Sequence, residues 1–466
     1  MKILTNIERN HPLYILKQAI NGILTQIVFI IIAFTYLNKH IGTFFSALII
    51  ATFIILYIVY SVLAWYKTTF YFSENSIFYQ KGILNINKRE VPIERITTID
   101  TSQGLFERIF NLSNIKVDTE NVKAEKSEIK LTLSKEKAMI LKQKLLDKDI
   151  EKSTEETSEY NLYKLSLKDL ILYSIVSNSI FQGIIVIFAI YNYLDDIRDI
   201  TSFDSLEYIN QFKFEGYVIA VLILSAVLIS LIISFIKNCI KYSYYTVGVE
   251  NNKINISHGL ISKKNYCFDK DKVKGIHIKQ KLIMQLFHVS TIEIESIGYG
   301  DEKGERAVLY PFCSNKLRDR IIDDIVPEFN YDGNVNHASK NSYIRFIFMR
   351  LLITVIIAGI ATYNINYGFI SIILVGIALL LGHMEYKNTG IGMSDDLVYL
   401  SYKGFRKKQS IVKISSIQTL TMSHNYFQKN KCICNYTINI WGAILGKNIT
   451  VKNIRNNLFE SYVDKL

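Results

Sequence analysis

Two clusters of basic residues offer the plainest binding chemistry in the sequence. One lies within "KGILNINKRE" (81–90) and the other within "KGFRKKQ" (403–409). The candidate contacts for an anionic ligand are Lys81, Lys88, Arg89, Lys403, Arg406, Lys407 and Lys408. Cations beside an anionic lipid leaflet contribute roughly 1 kcal/mol each. An ordinary solvated hairpin tip is the alternative for the first cluster, because charge pairs such as Arg89 and Glu90 are common on surfaces.

The C-terminal part of the chain strengthens the electrostatic case for a membrane surface. Residues 386–466 hold twelve Lys and Arg against four Asp and Glu, a local excess of eight positive charges. The whole chain has a formal net charge of +12. Such a charge attracts nucleic acid or anionic lipid, and a chain with long apolar runs favours lipid. We expect no nucleic-acid partner.

A metal site is a weaker interpretation of "KCIC". Cys432 and Cys434 lie two residues apart on one face of a predicted strand, and His424 is nearby. Tetrahedral zinc sites favour cysteines separated by two to four residues, and no fourth ligand has suitable spacing. Buried thiols are the preferred interpretation, so we expect neither a metal nor a cofactor.

The sequence also lacks the usual signatures of catalysis. It contains no G-x-S-x-G, H-E-x-x-H or Walker loop and no paired-carboxylate pattern. His258, His277 and His288 are interpreted as surface variation. We therefore predict a protein that is not an enzyme, with an unrecognised catalytic site as the alternative.

Uncharged apolar runs predict six membrane spans arranged as three helical hairpins. The first two runs lie between Lys17 and Lys39 and between Lys39 and Lys67. Each can cross about 30 Å of hydrocarbon, which needs about 20 helical residues. Further runs occupy 170–194, 216–236 and about 344–384. The fifth is the weakest, because reaching spanning length requires including Arg345 and Arg350, which could snorkel.

Basic residues near the ends of the spans set the orientation. Only Lys39, Arg198 and Lys213 lie on one side, with an acidic loop at 195–215. The opposite side holds Lys17, Lys67, Lys164, Lys168, Lys237, Lys241, Arg345, Arg350 and Lys387. The interface anchors predicted from this pattern are Trp65, Lys67, Lys237, Lys241, Arg345, Arg350 and Lys387. We therefore expect both termini and all long polar segments on the cytoplasmic side of a bacterial cell membrane.

The three polar segments resemble one another. Residues 81–119 align with 258–296 at a constant offset of 177, and 403–440 fits with one residue deleted. Each segment alternates apolar and polar residues, which predicts half-buried strands, and ends in a helical pattern at 134–146, 314–325 or 455–465. Ser134 and Ser314 are candidate N-caps.

One stretch interrupts the strand pattern. In "GLFERIF" the residues Leu105, Phe106, Ile109 and Phe110 have helical spacing. We expect a single amphipathic turn buried within a small barrel.

The run from "KGILNINKREVPIERITTID" to "QGLFERIFNLSNIKV" resembles the bacterial pleckstrin-homology-like domain of the second type, often called bPH2 or DUF304. Three hairpin-plus-domain units resemble the YdbT-like family of bacterial membrane proteins. The resemblance implies a PH-like fold, a partly open barrel capped by a helix. It implies much less about function. Classical PH domains bind anionic headgroups through basic residues on a loop between early strands, and Lys81, Lys88 and Arg89 lie near such a turn.

The predicted fold class is membrane α plus cytoplasmic β, with three repeats of a transmembrane hairpin followed by a PH-like β-barrel or sheet capped by a C-terminal helix. The predicted domains are an N-terminal segment with hairpin 1 (1–66), PH-like domain 1 (67–147), a linker (148–164), hairpin 2 (165–240), PH-like domain 2 (241–326), a linker (327–342), hairpin 3 (343–385) and a divergent PH-like domain 3 (386–466).

The function hypothesis is a membrane scaffold whose modules bind lipid headgroups, a protein partner, or both. The expected partners are the bilayer and either a shorter membrane protein with the same domain or a second copy. The rival hypothesis is a transporter or exporter subunit linked to tolerance of toxic compounds. The spans offer almost no ionisable path for it, because their polar residues are mainly Gln, Asn, Ser and Thr.

Overall fold

The computed structural model describes residues 7–73, 75–119, 129–146, 162–177, 216–296, 307–364, 368–440 and 447–463. The predicted acidic loop at 195–215, most of the predicted span at 170–194 and most of the 148–164 linker lie outside these residues. The chain divides into two compact units. Unit 1 is Met1–Glu159 with Ser262–Phe268, and unit 2 is Tyr160–Ile261 with Asp269–Leu466.

The described helices are of two kinds, long apolar ones and short ones between strands. They are α1 (Leu13–Thr25), α2 (Ile27–Lys67), α3 (Leu105–Ile109), α4 (Lys135–Leu146), α5 (Leu167–Val176), α6 (Gly216–Tyr242), α7 (Leu282–Leu286), α8 (Asn315–Ile325), α9 (Tyr343–Asn364), α10 (Ile372–Asn388), α11 (Tyr426–Lys429) and α12 (Phe459–Val463). Within the described residues, three stretches are long and apolar enough to cross a membrane: Ile27–Lys67, Leu224–Tyr242 and Lys340–Asn364.

The long helical segment made of α1 and α2 reverses its direction at a glycine within α2. Gly42 has a left-handed backbone with φ of +79°, which interrupts the helical geometry inside α2. The returning arm packs closely on the first, since a Cβ added at Gly22 would lie 1.8 Å from the Tyr57 hydroxyl. Gly22 thus lets the two arms approach, and Gly42 lets the chain turn.

The strands are short and antiparallel. They are β1 (Glu8–Arg9), β2 (Thr69–Phe72), β3 (Ser76–Lys81), β4 (Asn87–Pro92), β5 (Ile96–Gln103), β6 (Leu112–Thr119), β7 (Ile129–Ser134), β8 (Tyr163–Lys164), β9 (Thr246–Glu250), β10 (Lys253–His258), β11 (Lys263–Asp269), β12 (Val273–Lys281), β13 (Val289–Ser296), β14 (Val308–Ser314), β15 (Asn336–His337), β16 (Gly390–Met393), β17 (Leu397–Tyr402), β18 (Arg406–Lys413), β19 (Ile417–Ser423), β20 (Ile433–Ile440) and β21 (Lys447–Arg455).

One order of elements occurs in three stretches, here called the first (69–146), second (246–325) and third (390–463) β segments. Three strands are followed by a three-residue 3₁₀ turn, a fourth strand, a short helix, two more strands and a final helix. The 3₁₀ turns are Ile93–Arg95, Lys270–Lys272 and Ile414–Ser416. In the third segment the final helix α12 is shorter than the predicted 455–465.

The described residues of unit 1 form strands of two sheets. The first has the order β1-β2-β3-β4. In the second, β6 lies between β7 and β5, and the other edge of β5 pairs with β11. The strand β11 belongs to the second β segment, so a strand from later in the chain extends this sheet.

Unit 2 contains the longest sheet that lies within one unit. Its seven strands have the order β14-β13-β12-β18-β17-β16-β15, and β12 pairs with β18 over seven residue pairs. A separate sheet has the order β19-β20-β21. Among the described residues no sheet closes on itself, so the predicted barrels are open sheets. Strands extend from one β segment to another instead of returning to close a barrel.

The final helix of the first segment covers an apolar core. Ala138, Leu141 and Leu145 of α4 are all buried, as the helical spacing predicts, and they pack with Ile115 and Val117 of β6. The backbone N–H of Lys137 donates to Ser134 Oγ over 3.4 Å. In the second segment the Leu317 N–H donates to Ser314 Oγ, also over 3.4 Å. Both predicted N-caps are confirmed.

A buried polar network marks the pairing of β12 with β18. His277 is 2% exposed, and its Nδ1 lies 2.8 Å from Ser410 Oγ while its Nε2 lies 2.9 Å from Glu295 Oε2. Lys279 forms an ion pair with Glu293 beside it. The interpretation of His277 as surface variation is wrong, because a neighbouring strand that the local pattern does not reveal covers it. Buried polar groups need such partners.

The third residue of β12 is a glycine with little space above it. A Cβ at Gly275 would lie 3.1 Å from the Ile411 carbonyl oxygen and 3.2 Å from Val412 Cγ2. We expect Gly275→Val to destabilise the protein by about 1–3 kcal/mol, because overpacking displaces β18. The measurement is the thermal unfolding midpoint in detergent.

Thr419→Val is the matched control, because Thr419 is also the third residue of its strand but is exposed. It is expected to leave the midpoint unchanged. An equal fall of the unfolding midpoint in Gly275→Val and in Thr419→Val would contradict the close approach of β18 to Gly275.

Candidate membrane-contact surface

Each short helix between strands directs one residue inward. These residues are Glu107 in α3, Met284 in α7 and Gln428 in α11, all buried. The residue that ends each turn has positive φ: 53° at Asn111, 51° at His288 and 52° at Cys432. The three turns therefore share one geometry, which turns the chain sharply into the following strand.

The other side of each short helix exposes large apolar side chains. Exposure reaches 74% at Ile109, 75% at Leu286 and 75% at Tyr426. Leu105, Phe110, Leu282, Ile283, Phe287 and Phe427 are exposed as well. The predicted burial of "GLFERIF" within a barrel is therefore wrong for Leu105, Ile109 and Phe110. No sheet in the part of the chain that the structure describes closes into a barrel around them. The apolar side chains therefore point outward, and such patches typically mark membrane or partner contacts.

The first short helix is tied to the base of the first membrane hairpin. Glu107 forms an ion pair with Lys17 of α1 and accepts a 2.9 Å hydrogen bond from Asn114 Nδ2. Burial alone would raise the pKa of Glu107, but the hydrogen bonds from Lys17 and Asn114 outweigh burial and hold the pKa below its ordinary value. The carboxylate is therefore charged at neutral pH.

The second short helix is tied to α5. Lys281, just before α7, donates its ammonium to the carbonyl oxygen of Ser177 at the end of α5. Met284 packs with Val176 and Phe312 in a small apolar cluster. The contact thus combines a charge at a helix C-terminus with apolar burial.

The third short helix lies against the third hairpin. Arg345 Nη1 of α9 lies 3.5 Å from the Oδ1 of Asn425, the N-cap of α11. Nearby, Gly404 in the β17–β18 turn contacts α10, because an added Cβ would lie 2.7 Å from the Leu381 carbonyl oxygen. Gln285 Nε2 of α7 donates to the Gly404 carbonyl oxygen over 2.8 Å. Short helices and strand turns therefore meet at the bases of the hairpins.

An ion pair lies within the third hairpin. Arg350 of α9 pairs with Glu385 of α10. The apolar pattern singles out the arginine but not its partner, which directly follows the apolar run. An arginine inside a spanning stretch implies a counter-charge, and that rule could have found Glu385.

The predicted basic contacts lie in two different settings. Lys81 ends β3, and Lys88 and Arg89 lie on β4, all exposed. Lys403 is exposed in the turn beside α10, whereas Lys407 and Lys408 are half-buried on β18 where it pairs with β12. Burial lowers the pKa of Lys407. Arg406 is exposed at the start of β18. Headgroup contact by these residues stays a prediction.

Most of the predicted anchors lie near helix ends, and Arg350 lies further inside its helix. Lys67 ends α2, and Trp65 near it donates its indole N–H to the Asn10 carbonyl oxygen over 2.6 Å. Lys237 and Lys241 lie in the last turns of α6. Arg345 and Arg350 lie in the first half of α9, and Lys387 is next to last in α10.

The two cysteines of "KCIC" do not share a face. Cys434 is buried in β20, whereas Cys432 is exposed and precedes that strand. The prediction of two buried thiols is therefore wrong for Cys432. Its left-handed backbone places it in the turn and not on the strand.

Open antiparallel sheets with terminal helices, joined to spanning helices, are typical of a membrane protein with PH-like domains. Residues 19–149 and 200–322, more than half of the chain, match the family described as the bacterial PH domain, and the chain belongs to this family. The chain is also 24% identical over 471 residues to the UPF0699 transmembrane protein YdbT of Bacillus subtilis (strain 168), with 96% of this chain and 95% of that protein covered. The family resemblance is confirmed.

Acid is expected to weaken the link between α1 and α3. The lowered pKa of Glu107 stabilises the folded state above the ordinary carboxyl pKa of about 4.5, and this contribution is lost as pH falls through the lower folded value. Glu107→Gln should therefore have a lower thermal unfolding midpoint than the wild type at pH 7. The difference between the two midpoints should become smaller at the lowest pH. Tryptophan fluorescence melts across pH measure this.

Glu94→Gln is the matched control, because Glu94 is exposed in the same β segment. A pH profile of Glu107→Gln that runs parallel to the wild type at every pH would contradict the role of the charge.

Removal of one partner of the hairpin ion pair should cost more than removal of both. Glu385→Leu leaves Arg350 charged in a spanning stretch and is expected to destabilise by about 1–3 kcal/mol. Adding Arg350→Leu should restore most of that loss. Urea or thermal unfolding in lipid nanodiscs measures the three variants, and a double variant less stable than Glu385→Leu would contradict the pairing.

Proposed function

We propose that this protein is a non-enzymatic scaffold of the bacterial cell membrane. Three PH-like modules, each a β segment, are held at the inner leaflet by three hairpins with six spans in total. Both termini and all modules face the cytoplasm. The modules bind anionic lipid and assemble with protein partners that carry the same kind of domain.

The position and exposure of the short helices carry this proposal. Contacts to α1, α5 and α9 tie α3, α7 and α11 to the bases of the hairpins, where the membrane interface would lie. Their exposed apolar side chains suit the acyl boundary, as amphipathic interfacial helices do. Burial of these side chains in lipid would remove their apolar surface from water, which is favourable.

Basic residues near these helices favour an anionic leaflet. Lys403 lies in the turn that contacts α10, and Phe405 beside it is exposed. The insertion of apolar side chains into lipid and the attraction of the cations to anionic headgroups both contribute to the free energy of membrane binding. Either contribution alone gives weak and reversible binding. Lys403 and Arg406 are thus the strongest headgroup candidates among the predicted basic residues.

The modules act as a scaffold because tethering raises their effective concentration, so that weak contacts still give stable assembly. The pairing of β12 with β18 supports this role, because one β segment binds another through backbone hydrogen bonds. The family match and the transmembrane relative are consistent with a membrane protein that carries PH-like modules.

Depth-dependent quenching tests the lipid contact. The environment-sensitive dye NBD is attached to Leu286→Cys in a chain with Cys239→Ser and Cys432→Ser, reconstituted in nanodiscs that contain brominated anionic lipid. We expect a blue-shifted emission and strong quenching, because Leu286 inserts into the interface. Lys316→Cys on α8 of the same β segment is the matched control and should stay unquenched.

Equal emission and equal quenching at the two positions would contradict the interfacial role of the short helices. Scaffolding has a separate test, which is purification from native membranes in mild detergent. Isolation of the protein alone, together with substrate flux into vesicles that contain only this chain, would favour a transporter instead.

A further inference from the structure

Two strands in the second and third β segments pair in a way that is repeated elsewhere in the chain. The third residue of β12, Gly275, pairs with Val412, which lies two residues before the 3₁₀ turn after β18. The third residue of β5, Thr98, pairs with Phe268, two residues before the 3₁₀ turn after β11. Both pairings therefore join the same two kinds of strand in the same register.

Each pairing joins the strand before a 3₁₀ turn in one β segment to the strand after such a turn in another. Two strands of these kinds take part in neither pairing. They are β4, which precedes the turn Ile93–Arg95, and β19, which follows the turn Ile414–Ser416. Among the residues that the structure describes, β4 and β19 are the end strands of their sheets.

Burial differs between these end strands and their counterparts. Thr98 is 1% exposed and His277 is 2% exposed beneath the strand added to each sheet. At the equivalent positions of β19, Thr419 and Thr421 are exposed. The side of β19 that a further strand would cover therefore faces solvent.

The charges of the two end strands favour pairing of unlike strands. β4 carries Lys88, Arg89 and Glu90, whereas β19 has no charged residue. Two copies of β4 paired antiparallel about Arg89 would place the two Arg89 side chains opposite each other, which is unfavourable across a strand pair. In the register of the pairings within the chain, a β4 strand beside β19 places Arg89 opposite Thr421, Lys88 opposite Met422 and Glu90 opposite Leu420, so each charge meets an uncharged residue.

We propose that β19 of one chain pairs with β4 of a second copy of this chain, in the register of the two pairings within the chain. The pairs would be Thr419 with Val91, Thr421 with Arg89 and Ser423 with Asn87. This is strand addition with the chain's own module as the ligand. It deepens the assembly part of the proposed function and names the partner.

Such a contact uses two different surfaces, so it is heterologous. It closes into a ring if the rotation between copies permits and otherwise forms an open row along the membrane. Confinement of both copies to one bilayer raises their effective concentration.

Disulfide crosslinking between two differently tagged chains tests the proposal. One chain carries Ser423→Cys and the other Asn87→Cys, both with Cys239→Ser and Cys432→Ser, coexpressed and oxidised in native membranes. The pair Lys279→Cys and Lys408→Cys within one chain is the positive control, since Lys279 pairs with Lys408 at the equivalent position. We expect a crosslink between the tags.

Lys88→Cys replaces Asn87→Cys in the register control. A one-residue slip moves the thiol to the opposite face of the strand, so its yield should be at least about tenfold lower. Adding Thr421→Lys to the Ser423→Cys chain should lower the yield about fivefold, because the lysine would face Arg89 of the neighbour. Gln418→Lys is its control, placed opposite an uncharged Pro92.

No crosslink between the tags, or equal yields for Asn87→Cys and Lys88→Cys, would overturn the pairing, provided the positive control forms. Capture of a shorter one-module protein on either strand in place of the second copy would overturn it too. Lipid contact by α7 is measured separately, so failure here leaves the membrane part of the proposed function intact.

Discussion

The structure depends on one constraint, which is that the backbone N–H and C=O groups at a sheet edge need partners. A closed barrel would satisfy them within one β segment. This chain instead pairs β12 with β18 and β5 with β11, so that strands of different segments satisfy one another. The buried network of His277, Ser410 and Glu295 lies at such an edge and fixes its register by matching polar atoms. Association of segments is therefore part of the fold.

Lipid imposes the second constraint, at the other end of each β segment. The hairpins must begin and end close to the sheets, and polar contacts such as Lys17 with Glu107 fix these junctions. The short helices at these junctions expose apolar side chains that a soluble protein would cover. Sheet pairing and the proposed membrane contact thus use different surfaces of the same modules, and one need not disturb the other.

Local patterns predicted the parts of the structure that depend on neighbours in sequence. The stripe of Ala138, Leu141 and Leu145 and the caps Ser134 and Ser314 are set within one or two helical turns, and the structure bears them out. His277 and Cys432 were beyond such reasoning, and Glu385 follows only from the rule that an arginine in a spanning stretch implies a counter-charge. His277 is buried by the strand of Ser410, 133 residues further along the chain. Glu385 pairs across a hairpin with Arg350, 35 residues earlier, and the exposure of Cys432 follows from its left-handed backbone. Period-two alternation predicts that a strand has one covered face but not which strand lies at its edge.

The central claim is that all three β segments lie on the cytoplasmic side of one membrane. Three single-cysteine chains test it, with the thiol at Leu84→Cys, at Lys316→Cys or at native Cys432, all exposed positions, and the other cysteines replaced by serine. A membrane-impermeant maleimide is applied to intact cells and to inverted vesicles. We expect labelling of all three thiols in inverted vesicles and of none in intact cells. Labelling of any one of them in intact cells would contradict it.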